Sequence, residues 1–110
     1  LEKVSEALEI IERYKPDLVL FQAGVDALEK DGLGKLKVTR EGMKARNRMV
    51  LSVIIEKSLP CVIFMGGGYS EPISHTVDAF YDLFTDSAMA NSYMQGMDWS
   101  GSWRSDNEGI

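Results

Sequence analysis

The chain has a single cysteine, Cys61, among its 110 residues, so no disulfide can close within it. Cys61 sits in an apolar run and reads as a buried core thiol rather than a reactive or metal-bound one. No apolar stretch approaches the ~20 residues that a membrane span needs, and no secretory leader is expected. No membrane partner is therefore expected, and a cytoplasmic location is the default. Basic runs are also missing. Lys35, Lys37 and Arg40, then Lys44, Arg46 and Arg48, stand singly or in short groups, and the net charge is −5. General nucleic-acid binding needs a positive surface, so no direct nucleic-acid partner is expected. A small cationic substrate or peptide is compatible with the acidic balance.

What is present is ordinary for a globular domain: 45% apolar and 26% charged residues. That excludes disorder of the whole chain and leaves room for one small domain. The chain starts at Leu1 and enters a helical pattern almost at once, which suggests a piece of a longer protein.

Val4, Ala7, Leu8 and Ile11 recur at helical spacing between about Glu2 and Tyr14, and Pro16 punctuates the end. After Asp17 the chain to Ala23 is a continuous apolar run apart from Gln22, the pattern of a strand buried on both faces of a parallel sheet. Gly24 to Val38 is a long connection rich in glycine and charge, of a length that is often functional. Thr39 is a candidate N-cap, with Glu41 in the first turn that follows. Met43, Met49, Val50, Val53 and Ile54 give that helix an apolar face, and Lys44, Arg48 and Lys57 are expected to face water. Ser58-Leu59-Pro60 ends it, and Cys61 to Met65 is the second buried strand. Pro72 is placed early in a third helix, with Val77, Phe80, Tyr81 and Phe84 as its buried stripe. Met89, Tyr93 and Met97 extend a helical face that Gly96 and Gly101 weaken. Trp99 and Trp103 are the only large apolar groups near the end.

The two apolar runs each follow a proline and each end in a motif: Gly24-Val25-Asp26 after the first, Gly66-Gly67-Gly68-Tyr69 after the second. Strands joined by a helix are parallel and end on the same sheet edge. Asp26 and Tyr69 therefore converge where open α/β sheets bind ligands. Taken singly, Asp26 reads as a loop aspartate capping a turn, and Tyr69 as a packed aromatic. The glycine run could bind an anion at a helix N-terminus, though it lacks the Lys-Ser/Thr of a P-loop and the spacing of a dinucleotide fingerprint. Asp31 is read as shaping the long loop.

Taken together, Pro16 to Asp26, Asp31-Gly32-Leu33-Gly34, Thr39 with Gly42, and Gly66 to Tyr69 resemble the C-terminal third of the histone deacetylase family. That family includes bacterial acetoin-utilisation proteins and acetylpolyamine amidohydrolases. The wording is most like the bacterial and class IV branch, and the resemblance covers roughly residues 4 to 85. It implies a partial arginase/deacetylase-like three-layer α/β fold, with about two parallel strands, a crossover helix and flanking helices. Residues 1–87 are then the C-terminal part of that domain. Residues 88–110 are a tail, partly helical or disordered.

The resemblance further implies zinc-dependent hydrolysis of acetyl-lysine-type or acetylpolyamine amides. Asp26 occupies the position of a zinc ligand, and Tyr69 that of the hydroxyl that hydrogen-bonds the carbonyl oxygen as it becomes an oxyanion. Gly67 and Gly68 occupy positions lining the channel for the substrate's alkyl arm. A hard carboxylate suits Zn²⁺, and a donor aimed at a developing oxyanion lowers the barrier. The family's other aspartate and histidine ligands, and its paired-histidine base, have no counterpart here. The one histidine, His75, falls where the family has no ligand and reads as a surface or helix-face residue. The isolated chain is accordingly expected to hold no zinc and to be inactive, with Zn²⁺ belonging to a full-length parent. The competing readings are a non-catalytic interaction or oligomerisation domain and an anion-binding module. Two strands with open edges also imply self-association of the piece.

Overall fold

Val4, Leu8 and Ile11 turn one side of α1 (Glu2–Tyr14) onto the sheet, and the helix ends at Lys15 in a left-handed conformation. The computed structural model describes residues 1–96, so Met97, Gly101, Trp99 and Trp103 lie outside the described residues. The elements that follow are β1 (Val19–Gln22), α2 (Arg40–Glu56), β2 (Cys61–Phe64) and α3 (Ser74–Met94). At the start of α2, Thr39 Oγ1 accepts the Gly42 N–H at 3.0 Å, the cap its sequence position predicts. Gly24 to Thr39 leads into α2 and Pro60 follows it, so the helix crosses between two parallel strands paired Val19↔Cys61 through Gln22↔Phe64. The result is the mixed α/β arrangement expected, two parallel strands with a crossover helix and flanking helices.

The strands differ from expectation in their burial. Val19, Phe21, Cys61 and Ile63 pack into the clusters formed with the helices. The alternate positions face away, and Leu20, Val62 and Phe64 are 65%, 50% and 43% exposed. All three helices cover one side of the sheet, and no described element covers the other. The continuous apolar runs are written for a sheet covered on both sides. The described residues supply the sheet and one helical layer.

The third helix also packs on a different face from the expected one. Phe80 is buried, but Val77, Tyr81 and Phe84 are exposed, and the inward side carries Thr76, Ala79, Leu83, Asp86 and Ala90. That side includes acids because α2 supplies their partners. Arg40 Nε and Nη2 donate to Asp82 at 2.7 and 2.9 Å, and Arg48 lies 3.6 Å from Asp86. Arg48 is therefore largely buried and does not face water as predicted. Pro72 stands before the helix, in cis after Glu71, and Ser70 caps the first turn instead by accepting the Thr76 N–H at 2.8 Å. The helix continues through Met89 and Tyr93, which pack on Leu51, Ile55 and Ala90, and ends at Met94. Cys61 is half-buried, and burial pushes its thiol pKa up. Among the described residues, no helix is long and apolar enough to cross a membrane.

Candidate functional site at the strand ends

The parallel ladder runs on past the regular strands. Ala23 N–H donates to the Phe64 carbonyl at 2.9 Å and Val25 N–H to the Gly67 carbonyl at 2.7 Å. The two backbones approach closely here. A Cβ on Gly24 would lie 3.0 Å from the Gly67 nitrogen, and one on Gly66 would lie 3.0 Å from the Gly24 Cα. Only glycine permits this contact on both strands without a shift. Val25 points down into the core with Ala23, Phe80 and Leu83, so Asp26, next in the chain, is exposed above it.

The structure brings Asp26 and the glycine run together. A Cβ on Gly67 would meet the Asp26 Cβ and Cγ at 3.5 Å, so the carboxylate lies directly over that glycine. Gly68 turns the other way, where a Cβ would press on Val25 and Thr76 at 2.7 and 2.8 Å. The Tyr69 side chain is exposed on the same turn. Its backbone is held on both sides by the long loop. Gly32 N–H donates to the Tyr69 carbonyl at 2.8 Å, and the Tyr69 N–H donates to Asp31 Oδ2 at 2.6 Å.

Asp31 is buried and accepts two further N–H groups on Oδ1, from Gly34 at 2.7 Å and Leu33 at 2.8 Å. These bonds, led by the one from Tyr69, hold its carboxyl below the usual carboxylate range. The anion's contribution to folding is present at neutral pH and is lost as pH falls through that lowered value. The same loop braces Asp26, because Gly34 packs so closely on the Asp26 carbonyl that a Cβ there would collide with it. The Asp31-Gly32-Leu33-Gly34 motif thus touches both strand-end residues.

Sequence reasoning passed over Arg46, grouped only with its basic neighbours. Its Nη1 donates to the Gly24 carbonyl at 2.6 Å, its Nε and Nη2 to Asn47 Oδ1, and it lies 5.5 Å from the Phe21 ring centre. Burial lowers its pKa, and the nearby Asp26 charge opposes that shift. The signal was available: Arg46 and Asn47 fall three and four residues after Met43 and before Val50, on the inward side of α2.

His75 is half-buried in the first turn of α3 and lines a surface cavity of about 360 Å³ with Glu29, Arg40 and Asp78. Among the described residues, no three His, Cys, Asp or Glu side chains come close enough to hold a metal ion. Asp26 is a carboxylate on an open glycine bed, suited to one ligand position of a larger site and insufficient to make one.

Residues 2–83 match the model of the histone deacetylase domain. The chain is 37% identical over 78 residues to Histone deacetylase 2 of Arabidopsis thaliana, covering 70% of this chain and 20% of that protein. It is 41% identical over 69 residues to an uncharacterized protein of Picosynechococcus sp., covering 63% of this chain and 23% of that one. The chain therefore spans about a fifth of the length of these curated relatives.

Proposed function

Because this chain belongs to the histone deacetylase family, we propose that it is the segment of a zinc-dependent deacetylase that supplies one zinc ligand, Asp26, and the oxyanion-stabilising hydroxyl, Tyr69. The observation that carries this reading is the seat of the exposed Asp26 carboxylate against Gly67, on the turn that bears the exposed Tyr69. The reaction is hydrolysis of an acetyl-lysine-type or acetylpolyamine amide. Tyr69 donates its O–H to the acetyl carbonyl oxygen as negative charge develops there. Gly67 leaves space beside Asp26 for the substrate's alkyl arm, whereas Gly68, also expected to line that channel, turns its missing side chain to Val25 and Thr76 and offers the arm only its backbone. The residues described here do not fit zinc by themselves, so the remaining ligands and the general base come from the rest of the parent protein.

Metal analysis separates this from a zinc site complete in the segment. The full-length protein is expected to retain stoichiometric zinc, to lose amide hydrolysis on chelation and to regain it on zinc addition. The isolated chain is expected to retain none. Stoichiometric zinc on the monomeric isolated chain, or hydrolysis that survives zinc removal, would contradict the assignment.

A second reading, an interaction or oligomerisation domain, draws on the bare sheet face. Leu20, Val62 and Phe64 lie on it, and an apolar cleft of about 350 Å³ opens beside β1 along α1. An exposed apolar face with unpaired strand edges favours association. The isolated chain is expected to self-associate or to be marginally stable, and Leu20→Lys with Val62→Lys to shift it toward monomer. Sedimentation decides this, and a stable, cooperatively folding monomer at micromolar concentration would rule it out.

A further inference from the structure

Three backbone N–H groups converge on the carboxylate of Asp31, and one of them belongs to the residue that carries the proposed oxyanion donor. Oδ1 takes the Leu33 and Gly34 N–H groups at 2.8 and 2.7 Å, the ordinary way an aspartate folds its own loop. That accounts for one oxygen only. Oδ2 reaches 38 residues along the chain to the Tyr69 N–H at 2.6 Å. A carboxylate bonded to backbone N–H is among the stronger hydrogen bonds available to a side chain.

Asp31 thus joins the loop whose Gly34 braces the Asp26 backbone to the turn that bears Tyr69. Gly32 N–H on the Tyr69 carbonyl and Glu71 N–H on the Lys30 carbonyl, at 2.8 and 3.0 Å, continue the same seam. The Tyr69 backbone is fixed on both sides while its ring projects freely. We infer that Asp31 is a positioning residue, which sets where the Tyr69 hydroxyl stands relative to Asp26. This rests on the oxyanion reading of Tyr69.

Asp31→Asn tests it with little change in size. An ionised carboxylate presents acceptors on both sides, whereas an amide must aim its NH₂ at one of the two groups of N–H donors. With the NH₂ toward Tyr69 the link between loop and turn is lost, and with it toward Leu33 and Gly34 the loop loses its hold on the side chain that makes the link. In the full-length zinc-loaded protein, kcat is expected to fall about tenfold to a hundredfold, with KM and zinc content unchanged. Added to Tyr69→Phe, the same substitution should cost almost nothing further, since it acts through the missing hydroxyl. A general weakening of the fold would instead add in full.

The outcomes separate the two claims. Full kcat in Tyr69→Phe sinks the oxyanion reading. A slow Tyr69→Phe beside a wild-type kcat in Asp31→Asn, or additive effects in the double variant, overturns the positioning role alone. Amide hydrogen exchange gives a reading independent of activity and of whether the variant folds. The Tyr69 N–H should be strongly protected in the unsubstituted protein, and exchange at the rate of exposed loop amides would overturn the inference.

Discussion

Asp26→Ala in the full-length protein is expected to remove zinc and amide hydrolysis together. The Asp26 carboxylate is exposed and lies over Gly67 at the point where both strands end. With three protein ligands holding a catalytic zinc, loss of one carboxylate leaves too few to retain it. A bound metal contributes several kcal/mol of charge stabilisation in the transition state, so hydrolysis should drop by at least ~10³-fold, to background. The fold should survive. Val25 is the inward neighbour that packs in the core, and an exposed substitution typically shifts stability by no more than ~0.5 kcal/mol. Zinc content, turnover and melting temperature measured on one preparation decide the matter. Retained stoichiometric zinc would remove Asp26 from the ligand set. A collapse in melting temperature would show that the side chain serves the fold.

The placement of Asp26 against the glycine run was legible because it depends on connection length and punctuation. Two apolar runs joined by a helix-length segment had to be parallel, and Pro16, Pro60 and the glycines marked where each began and ended. The Thr39 cap was legible because it acts within one helical turn. Burial was harder to read, since it depends on partners distant in sequence. Leu20 and Val62 look like core residues, but no described element lies on their side of the sheet. Val77, Tyr81 and Phe84 were expected inside on hydrophobicity alone. Asp82 and Asp86 take the inward positions because Arg40 and Arg48 of α2 are there to meet them. A hydrophobic stripe cannot register an acid that is buried with its counter-ion.

Asp31 and Arg46 show the same limit at the site. Asp31 reads from the sequence as shaping its own loop, and Arg46 falls at a spacing that marks the inward side of α2, but neither pattern names the distant partner. What gives each its role is a backbone group brought near by folding: the Tyr69 N–H for Asp31 and the Gly24 carbonyl for Arg46. Their chemistry is complementary. An anion collects N–H groups on the loop side, a cation binds a carbonyl on the helix side, and the strand ends are held between them.

Tyr69→Phe should separate chemistry from metal binding in that arrangement. The substitution removes one hydroxyl from an exposed ring and leaves the Asp31 and Gly32 bonds to the Tyr69 backbone in place. The turn should keep its shape, and zinc should stay, since Tyr69 is not proposed as a ligand. A missing oxyanion donor typically costs ~10²–10³ in kcat, about 3 kcal/mol. The donor acts on charge that exists only in the transition state, so the loss should fall on kcat with KM near its original value. Steady-state kinetics on an acetyl-lysine peptide, with zinc measured on the same sample, reads both quantities. Loss of the metal, or turnover equal to the unsubstituted protein, would show that the hydroxyl serves something other than the developing oxyanion.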